Sequence, residues 1–131
     1  MTNSPRALVA GHGAYADGML SAVSQITGRD DVFTTMTNQD LSAQDVEQRL
    51  RARVEETGVR VVFTDLPAGS CTMAARRLQR EVPDLVLVTG ANLATLLDFA
   101  FRDDEPPGDA ARHAAEKGRV SLVVTGGAGV P

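Results

Sequence analysis

Short apolar runs alternate with stretches of helical periodicity along this chain, and the alternation predicts its secondary structure. Apolar runs of strand length predict β-strands over Ala7–Ala10, Val32–Met36, Val59–Thr64, Leu85–Thr89 and Val120–Thr125. Helical spacing predicts helices over Ala14–Thr27, from Ser42 to Gly58, over Thr72–Arg80, over Asn92–Phe101, and in an alanine-rich stretch that ends near Gly118. Strands that alternate with helices are typical of parallel sheets. We therefore expect an α/β fold, a doubly wound, mostly parallel four-stranded sheet with helices on both faces, and a C-terminal edge strand.

Capping residues define several of these boundaries. Ser42 and Asp45 have the spacing of a capping box, while Gly28 and Gly58 follow the first two helices as C-terminal stops. The charged, proline-containing run Arg102–Asp109 predicts the longest irregular loop. The tail Gly126–Pro131 lacks periodicity, and we expect it to be disordered.

Composition narrows the class of protein. A chain of 131 residues, 43% of them hydrophobic, is long enough for one domain with a core and too short for two, so we expect a single domain over residues 1–131 with an ordered core of about 6–125. A net charge of -4 argues against nucleic acid or an anionic membrane as the main partner. With one cysteine and no apolar stretch near the roughly 20 residues of a membrane span, we expect a soluble cytoplasmic protein that does not insert into membranes.

Two polar side chains directly follow apolar strands. His12 stands between Gly11 and Gly13 after the first strand, and Asp65 follows the third. Each has an ordinary interpretation, a loop histidine or a turn aspartate. If the two strands are neighbours, however, both side chains emerge side by side at the carboxyl end of the sheet. The carboxylate would then accept the Nδ1 hydrogen and leave Nε2 as an outward-facing nucleophile.

The segment Gly69-Ser70-Cys71-Thr72 opens the third predicted helix close to Asp65. Free N–H groups at a helix N-terminus favour an anion, so we take these four residues and Gly13 as phosphate-binding candidates. The alternative is that Ser70 or Thr72 only caps the helix. The segment is neither a P-loop nor a GxGxxG fingerprint.

Three other features have simpler interpretations. A lone small cysteine such as Cys71 is more often a packing residue than a nucleophile. His113, the second histidine, lies on a charged helix and is best interpreted as solvent-facing. The acidic run Asp103-Asp104-Glu105 lies beside two prolines and is interpreted as solvated. We therefore expect no metal site and no cofactor.

Together the motifs resemble a known family. Gly11-His12-Gly13, Phe63-Thr64-Asp65-Leu66 with Gly69-Ser70, and Thr89-Gly90-Ala91-Asn92-Leu93 with Leu96-Leu97 occur in the order of the mannose-type IIA domain of the sugar phosphotransferase system (PTS). The resemblance covers about Arg6 to Thr125. Where the family usually has Gly-Gly-Ser/Thr-Pro and an aromatic residue, this chain has Ala68-Gly69-Ser70-Cys71-Thr72.

The resemblance implies a function and its partners. In that family the histidine matching His12 accepts a phosphoryl group from the phosphocarrier protein HPr and passes it to a IIB domain, which serves the IIC and IID membrane components. The aspartate matching Asp65 orients the histidine. The resemblance also implies a homodimer in which the last strand, here Val120–Thr125, crosses to the partner's sheet.

Two other functions stay open. The phosphotransfer subunit of dihydroxyacetone kinase shares the relay histidine, but it typically has His-Ser where this chain has His12-Gly13. A non-catalytic signalling module such as a response-regulator receiver would need an acidic pair after the first strand and a lysine after the fifth. Asp65 matches a receiver's acceptor aspartate, whereas Gly11-His12-Gly13 replaces the acidic pair and Lys117 precedes the last strand.

Overall fold

The computed structural model describes residues 4–129, and over this range the chain alternates strands with helices before ending in two consecutive helices. The strands are β1 (Ala7–Gly11), β2 (Phe33–Thr37), β3 (Val61–Thr64) and β4 (Val86–Val88). The helices are α1 (Tyr15–Thr27), α2 (Ala43–Thr57), α3 (Ser70–Leu78), α4 (Leu93–Phe101) and α5 (Pro107–Ser121). The predicted fold class is confirmed, and most boundaries move by one or two residues.

The four strands form one parallel sheet in the order β2-β1-β3-β4. Side chains alternate between its two faces, so Ala7 and Val9 face one core while Leu8 and Ala10 face the other. Helices α1, α4 and α5 cover the first face, and α2 and α3 cover the second. The sheet is therefore doubly wound, with β1 and β3 adjacent at its centre.

Aromatic side chains fill the centre of the first core. Phe63 packs edge-to-face on Phe33 and on Phe99, with ring centroids 6.0 and 5.1 Å apart. All three rings are at most 4% exposed. Burying each large side chain contributes about 1.5–3 kcal/mol, so this cluster holds α4 against the sheet.

The helix ends follow the predicted capping signals. The hydroxyl of Ser42 accepts the N–H of Asp45 at 3.0 Å and caps α2. Gly28 and Gly58 end α1 and α2 in the left-handed conformation, with φ of 75° and 73°. These boundaries fix where the chain enters β2 and β3.

The predicted end of the last helix is wrong. Helix α5 begins at Pro107, which shortens the predicted irregular loop because proline is tolerated in a first turn. It continues past Gly118 to Ser121. Gly118 is buried, and a Cβ there would collide with the side chains of Asn92 and Thr95. This glycine serves the close crossing of α5 over the start of α4 and does not stop the helix.

The predicted fifth strand, Val120–Thr125, is wrong at its first two residues, and the remaining four form no strand within a single chain. Val120 and Ser121 continue α5, where the helix satisfies their backbone groups, and residues 122–125 pair with no strand of the described chain. An isolated strand is not stable without a partner that supplies its hydrogen bonds. Residues 122–129 form neither helix nor strand, and 130–131 lie outside the described residues, so disorder in the tail stays a prediction.

Candidate functional site

Three neighbouring strands, β2, β1 and β3, end together at the carboxyl end of the sheet, and a polar residue follows each of them. Gly11 lies level with Thr37, and Ala10 lies level with Thr64. The residues that come next, Asn38, His12 and Asp65, therefore leave the sheet together. Ligand sites of open α/β sheets form at the carboxyl ends of the strands.

His12 and Asp65 form a close pair. Oδ2 of Asp65 lies 2.8 Å from Nδ1 of the His12 ring and 2.9 Å from the backbone nitrogen of His12. The His12 side chain is 52% exposed, whereas that of Asp65 is only 13% exposed. A shielded carboxylate thus fixes the position of an accessible imidazole.

The protonation of this pair follows from the environment of Asp65. Burial, the largest single influence, raises the pKa of Asp65, but the two hydrogen bonds and the charge interaction with His12 together outweigh it and hold this pKa below its usual value. The ionised carboxylate can only accept hydrogen bonds, so Nδ1 is the donor. In the neutral ring the lone pair then belongs to Nε2.

Gly11 makes this arrangement possible. A Cβ at Gly11 would lie 2.8 Å from Cγ of Asp65 and 2.6 Å from the Tyr15 ring. The absence of a side chain therefore lets the carboxylate reach the His12 backbone. This close approach, and not backbone flexibility, explains the first glycine of the Gly-His-Gly motif.

The N-terminus of α3 borders the ring of His12. A Cβ at Gly69 would lie 3.2 Å from Cε1 and 3.7 Å from Nε2 of His12, so the bare Gly69 backbone faces the Cε1–Nε2 side of the ring. The first intrahelical bond runs from Met73 N–H to the carbonyl of Gly69 at 2.9 Å. The N–H groups of the three residues between them have no acceptor within the helix and carry a partial positive charge.

The side chains of Cys71 and Thr72 are buried in the interior of the protein. Each is 1% exposed. The Thr72 hydroxyl donates to the Leu66 carbonyl at 2.6 Å and contacts the Thr64 hydroxyl at 2.7 Å. Burial, with the charge of Asp65, raises the pKa of Cys71 to about 11, so its thiol stays protonated at neutral pH. Both residues therefore present only their backbone N–H groups at the start of α3.

Comparison with models of known protein families shows which family this protein belongs to. The model of the family described as PTS system fructose IIA component, the mannose-type EIIA proteins, matches residues 6–116. The chain belongs to this family. It is a IIA component of the sugar phosphotransferase system.

Solved structures support the same fold. The mannose/sorbose specific IIA subunit from Enterococcus faecalis is 24% identical with a TM-score of 0.81, and the match covers 98% of this chain and 100% of that one. The PTS IIA protein associated with the fucose utilization operon of Streptococcus pneumoniae is 24% identical with a TM-score of 0.79, covering 95% and 96%. A search of the curated proteins gave no match.

This IIA protein has a second histidine and further side chains of the kinds that can bind metals. His113 is on α5, 58% exposed, and pairs with Glu105 at 2.7 Å. Residues 4–129 contain no cluster of three or more potential His, Cys, Asp or Glu metal ligands. No helix within this range is long and apolar enough to cross a membrane.

Gly13, another candidate, directly follows His12, and its carbonyl accepts the Thr37 hydroxyl at 2.9 Å.

Two residues of the site were missed by the sequence analysis. Tyr15 packs over Gly11 and donates to the carbonyl of Ala91 at 2.6 Å, and burial together with the charge of Asp65 raises its pKa to about 12. Asn38 donates from Nδ2 to the hydroxyl of Ser70 at 2.7 Å. Asn38 directly follows β2, as His12 follows β1, but three of the five residues of β2 are threonines, so no continuous apolar run pointed to Asn38 in the sequence.

Proposed function

We propose that this protein is a phosphohistidine relay: Nε2 of His12 accepts a phosphoryl group from HPr and passes it to a IIB domain in the cytoplasm. The main support is the 2.8 Å bond between Nδ1 of His12 and Asp65, which leaves Nε2 on a half-exposed ring. A group that must pass between proteins needs such access. The IIC and IID membrane components then take up the sugar.

In the forward step the Nε2 lone pair attacks phosphorus. A bond forms between Nε2 and phosphorus as the bond from phosphorus to the HPr histidine nitrogen breaks, and the bonding pair returns to that nitrogen. The His12 ring becomes positively charged because Nδ1 keeps its hydrogen. Asp65 compensates this charge at 2.8 Å. Transfer to the IIB domain reverses these bond changes.

The α3 N-terminus suits the negative charge of the group in transfer. Charge is spread over the phosphoryl oxygens in the transition state, so catalysis depends mainly on positioning and electrostatic stabilisation. Gly69 borders the ring, and the N–H groups of Ser70, Cys71 and Thr72 follow it. These residues and Gly13 are the proposed phosphate-binding set.

The relay is testable with purified components. Incubation with labelled phosphoenolpyruvate, enzyme I and HPr should give an acid-labile, base-stable label on this chain, and a IIB domain should remove it. The label should require HPr, because enzyme I alone does not present the phosphocarrier histidine. A chain that stays unlabelled in the complete mixture would contradict the proposal.

The two sheet edges differ in a way that supports a homodimer. At the β2 edge, Arg53 donates to the carbonyl of Thr35 at 2.8 Å, and such charged cover protects an edge from pairing. The β4 edge instead borders a groove of about 950 Å³ between β4 and α5. Leu122, Val123 and Val124 follow α5 and are 82, 71 and 95% exposed. The proposed dimer places the segment that follows α5, residues 122–125, of each copy on the β4 edge of the other.

Charged residues in this segment should separate the proposed dimer. The wild-type protein should sediment with the mass of two chains at micromolar concentration, and Leu122→Lys with Val124→Lys should sediment as a monomer with unchanged helix content. Phe101→Lys is the matched control, because Phe101 is also exposed (66%) but lies on α4. A monomeric wild type, or a double variant that remains dimeric, would exclude this interface.

A further inference from the structure

Asn38 connects the end of β2 to the first residue of α3. Its backbone N–H donates to the carbonyl of Gly11 at 3.2 Å and extends the ladder between β1 and β2 by one step. Its carbonyl accepts the N–H of Leu41 at 3.1 Å, which closes a turn. The Asn38 side chain, half-buried and held at both backbone ends, then donates from Nδ2 to Ser70 Oγ at 2.7 Å.

The direction of this bond decides what the Ser70 hydroxyl can do. Because Oγ accepts from an amide N–H, its own hydrogen stays available for another acceptor. Ser70 directly follows Gly69, whose backbone faces Cε1 and Nε2 of His12. The acceptor that a transfer reaction brings to this place is a phosphoryl oxygen.

We propose that Asn38 is a positioning residue for phosphoryl transfer, which holds the Ser70 hydroxyl with its hydrogen directed at the phosphoryl group on His12. This inference rests on the relay function proposed above. Asn38 acts through Ser70 and does not touch the phosphoryl group itself. The hydroxyl adds a hydrogen bond to the charged group beside the backbone N–H groups of α3.

Substitutions at both ends of the bond test the inference. A hydrogen bond to a charged group is worth roughly 1.5–3 kcal/mol, so Ser70→Ala should slow transfer from phospho-HPr about ten- to a hundred-fold. Asn38→Ala should slow it roughly ten-fold, because the hydroxyl loses its orientation. Asn38→Asp keeps the shape of the side chain, but a carboxylate only accepts hydrogen bonds. It should therefore draw the Ser70 hydrogen away from the phosphoryl group and slow transfer at least as much as Asn38→Ala does.

The double variant separates positioning from a general effect on the fold. If Asn38 acts through Ser70, Asn38→Ala should cause no further loss in a Ser70→Ala background. The ³¹P resonance of the phosphorylated Asn38→Ala protein should move towards that of Ser70→Ala, a change that a structural role alone would not produce. Gln39→Ala is the control, since this exposed neighbour should transfer at the wild-type rate.

The outcomes distinguish this inference from the relay itself. Labelled wild type with a wild-type rate for Asn38→Ala, or additive losses in the double variant, would overturn the role of Asn38 and leave the relay intact. Absence of label on wild-type His12 would overturn both.

Discussion

We expect His12→Ala to abolish phosphorylation of this protein by phospho-HPr. The ring supplies the only nucleophile of the proposed mechanism, and its half-exposed position leaves Nε2 open to a partner protein. Cys71 cannot substitute, because it is buried and burial, with the charge of Asp65, raises its pKa to about 11. Incorporation of label from phosphoenolpyruvate, with enzyme I and HPr present, measures the effect.

His113→Ala is the matched control for this prediction. His113 also has a carboxylate against Nδ1, Glu105 at 2.7 Å, and a similarly exposed side chain. It lies within α5, however, and lacks the α3 N-terminus beside its ring. This variant should keep full labelling. A label that survives loss of His12, or that disappears with His113, would show that the reactive histidine has been wrongly assigned.

Asp65→Asn should slow phosphoryl transfer by roughly 10²- to 10⁴-fold, the range found when a general acid–base group or the acid that orients a catalytic histidine is lost. An amide still fits beside His12 but has no charge to compensate the phosphorylated ring. It can also favour the wrong tautomer, with the lone pair on Nδ1 and a hydrogen on Nε2. Rapid-quench measurement of single-turnover transfer separates this loss of rate from any loss of binding.

The same variant has a second signature in acid. The folded-state pKa of Asp65 is lowered, so its ionised form stabilises the fold above its unfolded-state pKa. This contribution is lost as the pH falls through the folded-state pKa. Denaturation between neutral and acidic pH should therefore show a smaller loss of stability in Asp65→Asn than in the wild type. Asp104→Asn serves as control, because Asp104 is an exposed loop carboxylate. A wild-type rate of phosphoryl transfer in Asp65→Asn would contradict the prediction for transfer and show that Asp65 is only a turn residue.

The apolar runs, together with the usual strand order of doubly wound sheets, locate the central pair in the sequence. β1 and β3 are buried along their whole lengths, so each had to appear as a continuous apolar stretch, and His12 and Asp65 follow those stretches. Adjacency of the two strands came from the usual doubly wound order. The sheet and the position of the pair were therefore predictable from local pattern and general topology.

Features that depend on tertiary packing were not predictable in this way. Gly118 has the appearance of a helix stop, but the contact that requires a glycine involves Asn92 and Thr95, more than twenty residues earlier in the chain. The bond between Asn38 and Ser70 joins residues 32 positions apart. The burial of Thr72 depends on how α3 rotates about its axis when it packs on the sheet. Spacing along one element contains none of this information.

The most direct test of the account is the identity of the phosphorylated atom. ¹⁵N and ³¹P NMR of the protein labelled at histidine nitrogen, after phosphorylation through HPr, reports which ring nitrogen bonds to phosphorus. We predict coupling of phosphorus to Nε2 of His12, with the Nδ1 hydrogen retained in the bond to Asp65. Phosphorus on Nδ1 of His12, or on any other residue, would contradict the account.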